Sequence, residues 1–72
     1  MMLCDRLEYA LKIRDMTQRQ LAHLTGITEA TISRYVRGDR QPKADAIYSI
    51  CKVLIISADW LIGLMEDKYE RV

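Results

Sequence analysis

The sequence predicts an all-α domain of five short helices, the second and third of them joined by a tight turn. Three observations carry this. Apolar residues recur at helical spacing along almost the whole chain rather than alternating as in a strand. Hydroxyl residues stand where helices should begin, at Thr17, Thr28 and Ser57. Gly26, Gly38 and Gly63 stand where helices should end, and Pro42 blocks any helix running through it. At 72 residues the chain is read as one domain, 1–72, with a core over about 3–63 and a tail over 64–72. A domain this small buries only about 60% of the surface its unfolded chain exposes. The sequence has no Phe, so aliphatic side chains must fill the core.

Leu3, Leu7, Ala10 and Leu11 share one face of a first helix running to about Arg14, and Asp15 and Met16 form a short connection. Thr17-Gln18-Arg19-Gln20 is a capping box that opens the second helix, Thr17–Thr25. Leu21 and Leu24 are expected to face inward. Gly26 ends this helix, and only Ile27 separates it from the next start at Thr28. Glu29, in the first turn of the third helix, suits the positive end of the helix dipole. Ile32 and Tyr35 share its inner face. A fourth helix follows Pro42, with Ala44, Ile47, Ile50, Cys51 and Leu54 on one stripe and Lys43 as a weak cap. Ile55 and Ile56 break the stripe. Ser57 caps a short fifth helix through Trp60 and Leu61, stopped by Gly63.

Composition narrows the function classes. No run of eighteen apolar residues occurs, so no membrane partner is expected. No basic segment followed by an apolar run opens the chain, and a cytoplasmic location is expected. Cys4, Cys51 and His23 are scattered, so neither a metal nor any other cofactor is expected, and the cysteines read as reduced thiols in or near the core. From Thr17 to Lys43 there are five basic residues against two acidic, whereas the rest of the chain has six against eight. This central positive charge suits a polyanion partner, or else a solvated helical face.

Two helices joined by a short turn containing Gly form a helix-turn-helix. Ala22 must be small where the helices cross, and Gly26 must take a conformation that bulky residues resist. Ile32 and Tyr35 anchor the third helix from below. Glu29, Ala30, Ser33 and Arg34 are left on its outer face.

The segment Thr17-Gln-Arg-Gln-Leu-Ala-His-Leu-Thr-Gly-Ile-Thr-Glu-Ala-Thr-Ile-Ser-Arg-Tyr-Val-Arg-Gly38 closely resembles the phage-repressor/Cro-type (lambda repressor-like) helix-turn-helix family. Arg40-Gln-Pro42 and Ser57-Ala-Asp-Trp-Leu-Ile-Gly63 follow in the family's order, and the resemblance covers roughly residues 3–63. It implies that Gln18 touches a DNA phosphate and braces the recognition helix. It implies that Thr28 and Arg37 meet the backbone, and that Glu29, Ala30, Ser33 and Arg34 face base edges in the major groove. Elementary chemistry agrees. Arg34 can donate twice to guanine, Glu29 can accept from the cytosine amine, and Ala30 and the Thr31 methyl can touch a thymine methyl. Arg19, Arg40 and Lys43 are candidate phosphate clamps, and Thr17 and Thr31 complete the phosphate-side set. Bland roles stand beside these: Glu29 as a helix-start residue, Arg34 and Arg37 as solvated charges, Gln18 and Thr17 as caps. Lys43 and Ile55 depart from the family pattern. Ile55, Trp60, Leu64 and Met65 form a candidate twofold contact, with burial in the core as the competing role.

The reading is therefore a sequence-specific transcriptional regulator, in the first instance a repressor. It is expected to bind double-stranded DNA as a homodimer, two recognition helices about 34 Å apart on a near-palindromic operator. The alternative is an antitoxin-like or accessory module that uses the same fold to hold a protein partner. No small-molecule ligand is expected. An enzyme is not expected either, because no phosphate-cradling loop or carboxylate pair in a cleft is apparent.

Overall fold

The computed structural model describes residues 2–66. Five helices follow in order: α1 (Leu3–Ile13), α2 (Gln18–Thr25), α3 (Glu29–Arg37), α4 (Ala44–Leu54) and α5 (Ala58–Ile62). α3 packs on α2 and α1, α4 on α2, and α5 closes the bundle against α1 and α4. Leu7, Leu21, Ile32, Ile50, Leu54, Ile56 and Leu61 are fully buried at the centre.

Each predicted hydroxyl cap is in place. Thr17 Oγ1 accepts from Gln20 N (3.0 Å) while Gln20 Oε1 accepts from Thr17 N (2.8 Å), the reciprocal pair of a capping box. Thr28 caps α3 and Ser57 caps α5. Lys43 makes no side-chain cap bond at the start of α4. α1, α3, α4 and α5 share one closing bond, in which an N–H just past the helix donates five residues back: Met16 to Leu11, Asp39 to Arg34, Ile56 to Cys51 and Leu64 to Asp59. For α4 this closure puts Ile55 at φ 54°, a left-handed conformation that a β-branched residue resists.

Several expectations are corrected. Leu24 is 57% exposed. At about 100° per residue, the inward face of α2 centres between Leu21, Ala22 and Thr25, and Leu24 falls well to one side. Ala44 is exposed at the first position of α4, and Ile47 is only half-buried. Ile56 and Trp60 lie in the core, at 0% and 5% exposure. Of the candidate twofold contact, only Ile55, Leu64 and Met65 are exposed, and Trp60 takes the core role. The remainder of the tail, including Tyr69 and Val72, lies outside the described residues.

Two arginines, Arg6 within α1 and Arg14 at its C-cap, stitch the bundle. Arg14 donates through Nε to Leu54 O (2.7 Å) and through Nη2 to Ile55 O (2.9 Å), covering the end of α4. Arg6 is 4% exposed. Its Nη1 donates to Trp60 O (2.5 Å) and Met65 O (2.8 Å), its Nη2 faces Glu66 at 3.4 Å, and its guanidinium lies 5.2 Å from the Trp60 ring centre.

Candidate nucleic-acid interface

The site is built on the sidedness of α3. Ile32 and Tyr35 are buried, and Val36 packs partly against the core. This inner contact fixes which residues face outward. Glu29, Ala30, Arg34 and Arg37 are exposed, and Thr31 and Ser33 are half-buried. The outer face thus carries a carboxylate, a methyl, two hydroxyls and two guanidinium groups within three helical turns.

Local chemistry holds the start of α3. Thr28 Oγ1 accepts from Thr31 N (3.2 Å) and its proton goes to Thr31 Oγ1 (2.9 Å). Both hydroxyls are thereby partly committed within the helix. Glu29 is the acidic residue of the first turn, so its helix-start role is present whether or not it meets a base.

The turn before α3 depends on Gly26 at φ 77°. Gly26 N donates to Ala22 O (2.9 Å), and Thr25 Oγ1 accepts from Ile27 N (3.2 Å). A Cβ at Gly26 would meet nothing within 4 Å, so conformation alone favours glycine there. Gly38, at φ 79°, is constrained twice, because a Cβ there would stand 3.1 Å from Cys4 Sγ.

The other predicted contact residues fall into groups. Thr17, Gln18 and Arg19 cluster at the start of α2, with Gln18 half-buried and the other two exposed. Arg40 and Lys43 are exposed, and with Gln41 they line an open notch of about 380 Å³ that Thr25 and Ile27 of the turn also border. Arg34 has no ion-pair or hydrogen-bond partner among the described residues. Arg37, by contrast, is engaged, bound to Ser33 Oγ and to Asp39. The sequence reading missed that linkage and also the buried Arg6. A signal for Arg6 existed, because it is three residues from Leu3 and four from Ala10, within the core-facing register of α1.

A family model described as "Helix-turn-helix" matches residues 7–61. The chain belongs to the helix-turn-helix family. This helix-turn-helix chain is 34% identical over 64 residues to the HTH-type transcriptional regulator DicA of Escherichia coli (strain K12), a match covering 89% of the chain and 47% of DicA. It is 28% identical over 71 residues to the uncharacterized HTH-type transcriptional regulator YobD of Bacillus subtilis (strain 168), covering 99% of the chain and 63% of YobD. The chain therefore spans between about half and somewhat under two thirds of the length of these curated relatives. Its fold matches that of the P22 c2 repressor protein, solved in complex with a synthetic operator, with a TM-score of 0.82, 22% identity, and coverage of 88% of this chain and 96% of that one. The helix-turn-helix expected at the second and third helices is thus borne out in family and in fold.

Proposed function

We propose that this chain binds double-stranded DNA sequence-specifically as a transcriptional regulator, in the first instance a repressor, by laying α3 in the major groove. The observation that carries this is the exposed face of α3. Arg34 stands on it free of partners among the described residues, beside Glu29, Ala30 and Ser33, while Ile32 and Tyr35 root the helix in the core. The names of the relatives and the operator in the P22 c2 repressor structure support the reading. Base edges are assigned to Glu29, Ala30, Ser33 and Arg34. Phosphates are assigned to Thr17, Gln18, Arg19, Thr28, Thr31, Arg37, Arg40 and Lys43, which set register without reading sequence. A homodimer on a near-palindromic operator completes the reading, with Ile55, Leu64 and Met65 exposed to meet a second copy and Trp60 supporting them from the core. The site is one for binding rather than catalysis, and it acts at the nucleoid of the cytoplasm.

One observation favours the protein-partner alternative. Leu24 is exposed on α2 beside Met16, Arg19 and His23, lining an open apolar recess.

Selection from a randomised duplex pool at two salt concentrations, read by fluorescence anisotropy, tests the proposal. A near-palindromic motif should emerge, with affinity falling as salt rises. Arg34→Ala should lose about tenfold or more on the selected site and relax one position per half-site. Weak, unselective binding that Arg34→Ala leaves unchanged would sink the DNA reading and turn the search to a protein partner.

A further inference from the structure

Ser33 and Arg37 are four residues apart and meet on one side of α3, where Arg37 Nη1 donates to Ser33 Oγ at 2.9 Å. Arg37 Nε donates to Asp39 Oδ2, also at 2.9 Å. Asp39 is held in turn by the closure of the helix, since its own N–H donates to Arg34 O at 2.9 Å beyond the left-handed Gly38. A guanidinium is thus pinned between a carboxylate behind it and a hydroxyl in front.

Two consequences follow from the donor chemistry. A hydroxyl that accepts from a guanidinium keeps its own proton to donate, and among the described residues the Ser33 proton goes to no acceptor. Arg37 Nη1 retains a second N–H beside it. The pair therefore offers two adjacent donors, and the hydroxyl oxygen is already used as an acceptor. In the major groove guanine presents two adjacent acceptors, N7 and O6. Adenine sets a donor amine beside its N7, cytosine presents an amine, and thymine sets a methyl beside its single acceptor. The Asp39 carboxylate also offsets the charge of Arg37, which suits base reading better than phosphate clamping.

We infer that Ser33 and Arg37 act as one two-donor unit selecting guanine in each half-site, with Asp39 as the positioning residue that holds Arg37 across Ser33. This rests on the DNA-binding reading above, and it moves Arg37 from the phosphate set to the specificity set.

The test is selection and anisotropy with the full chain, comparing wild type with Ser33→Ala, Asp39→Asn and Arg37→Lys. Wild type should show a guanine column in each half-site that is separate from the column relaxed by Arg34→Ala. Replacing that guanine with 7-deazaguanine, which lacks the N7 acceptor, should cost wild type about tenfold and Ser33→Ala almost nothing. Asp39→Asn should flatten this column alone, while affinity for random duplex stays level or rises because the arginine is freed for phosphates. A merely structural defect would lower both together. Arg37→Lys keeps the charge but not the planar fork, and should also flatten the column. Retention of the column in Arg37→Lys, or a uniform loss across all sequences in Asp39→Asn, would overturn the inference and return Arg37 to the backbone. If wild type itself selects no motif, the DNA-binding reading fails and the inference falls with it. A recovered motif without the guanine column overturns the inference alone.

Discussion

The α2–α3 pair and the α4–α5 pair differ in what reinforces their helix ends. In the first, every terminus is closed by residues beside it: Thr17 with Gln20, Thr28 with Thr31, and glycine at positions 26 and 38. In the second, Ser57, Gly63 and the closing bonds of Ile56 and Leu64 are also local, but the seam adds partners from the far end of the chain. Arg14 covers the carbonyls of Leu54 and Ile55, and Arg6 covers those of Trp60 and Met65. A motif that must present one rigid helix to a partner is thus held locally, while the elements behind it are tied together by α1. Changes in the seam should lower the stability of the whole domain, and changes in the caps should act within one helix.

The largest effect expected from this contrast is at Arg6. Arg6→Ala strips the buried Trp60 carbonyl and the part-buried Met65 carbonyl of a charged donor and removes the contact with the Trp60 ring, and should cost about 3 kcal/mol in chemical denaturation. The Glu66 pair contributes little to that figure, because Glu66 is 80% exposed. A loss below about 1 kcal/mol would show that the seam is not held from α1. Thr17→Ala should cost about 1 kcal/mol, the usual worth of a capping hydroxyl. Hydrogen exchange should show that loss concentrated in the first turn of α2, and an even loss over all five helices would erase the distinction between the two regions. The smallest effect is at Ile55. Ile55→Gly relieves the left-handed strain and loses chain entropy in return, for a net gain of about 0.5 kcal/mol in the monomer. Sedimentation should show weaker self-association of the same variant, if the exposed isoleucine meets a second copy.

This contrast also explains what could be read from sequence. Caps and closures are made by neighbours, so Thr17, Thr28, Ser57 and the glycines mark the helix ends directly. The helix-turn-helix and its outer residues follow from those ends together with Ile32 and Tyr35. Burial is set by crossing geometry, which no local pattern contains. Leu24 has the right residue type for the core but lies off the face that α2 presents to its neighbours. Trp60 looks like a surface anchor until Arg6 and Tyr9 are seen against it, with the Tyr9 and Trp60 ring centres 6.1 Å apart. Arg6 lies in a core register, yet its charge argues for the surface, and only the carbonyls at Trp60 and Met65, some 54 and 59 residues away, reconcile the two. In the candidate site the outward residues were legible. The link from Asp39 through Arg37 to Ser33 was not, because it depends on the path of the chain after Gly38.

The contact between Cys4 and Gly38 has a consequence for how such a chain can drift. Gly26 faces open space, so a residue tolerant of the left-handed region, such as asparagine, can replace it in one step. A Cβ at Gly38 would stand 3.1 Å from Cys4 Sγ, so the same exchange there also requires the sulfur to give by a few tenths of an ångström. Positions 4 and 38 are therefore expected to change together in related sequences, with a larger residue at 38 accompanied by a smaller one at 4.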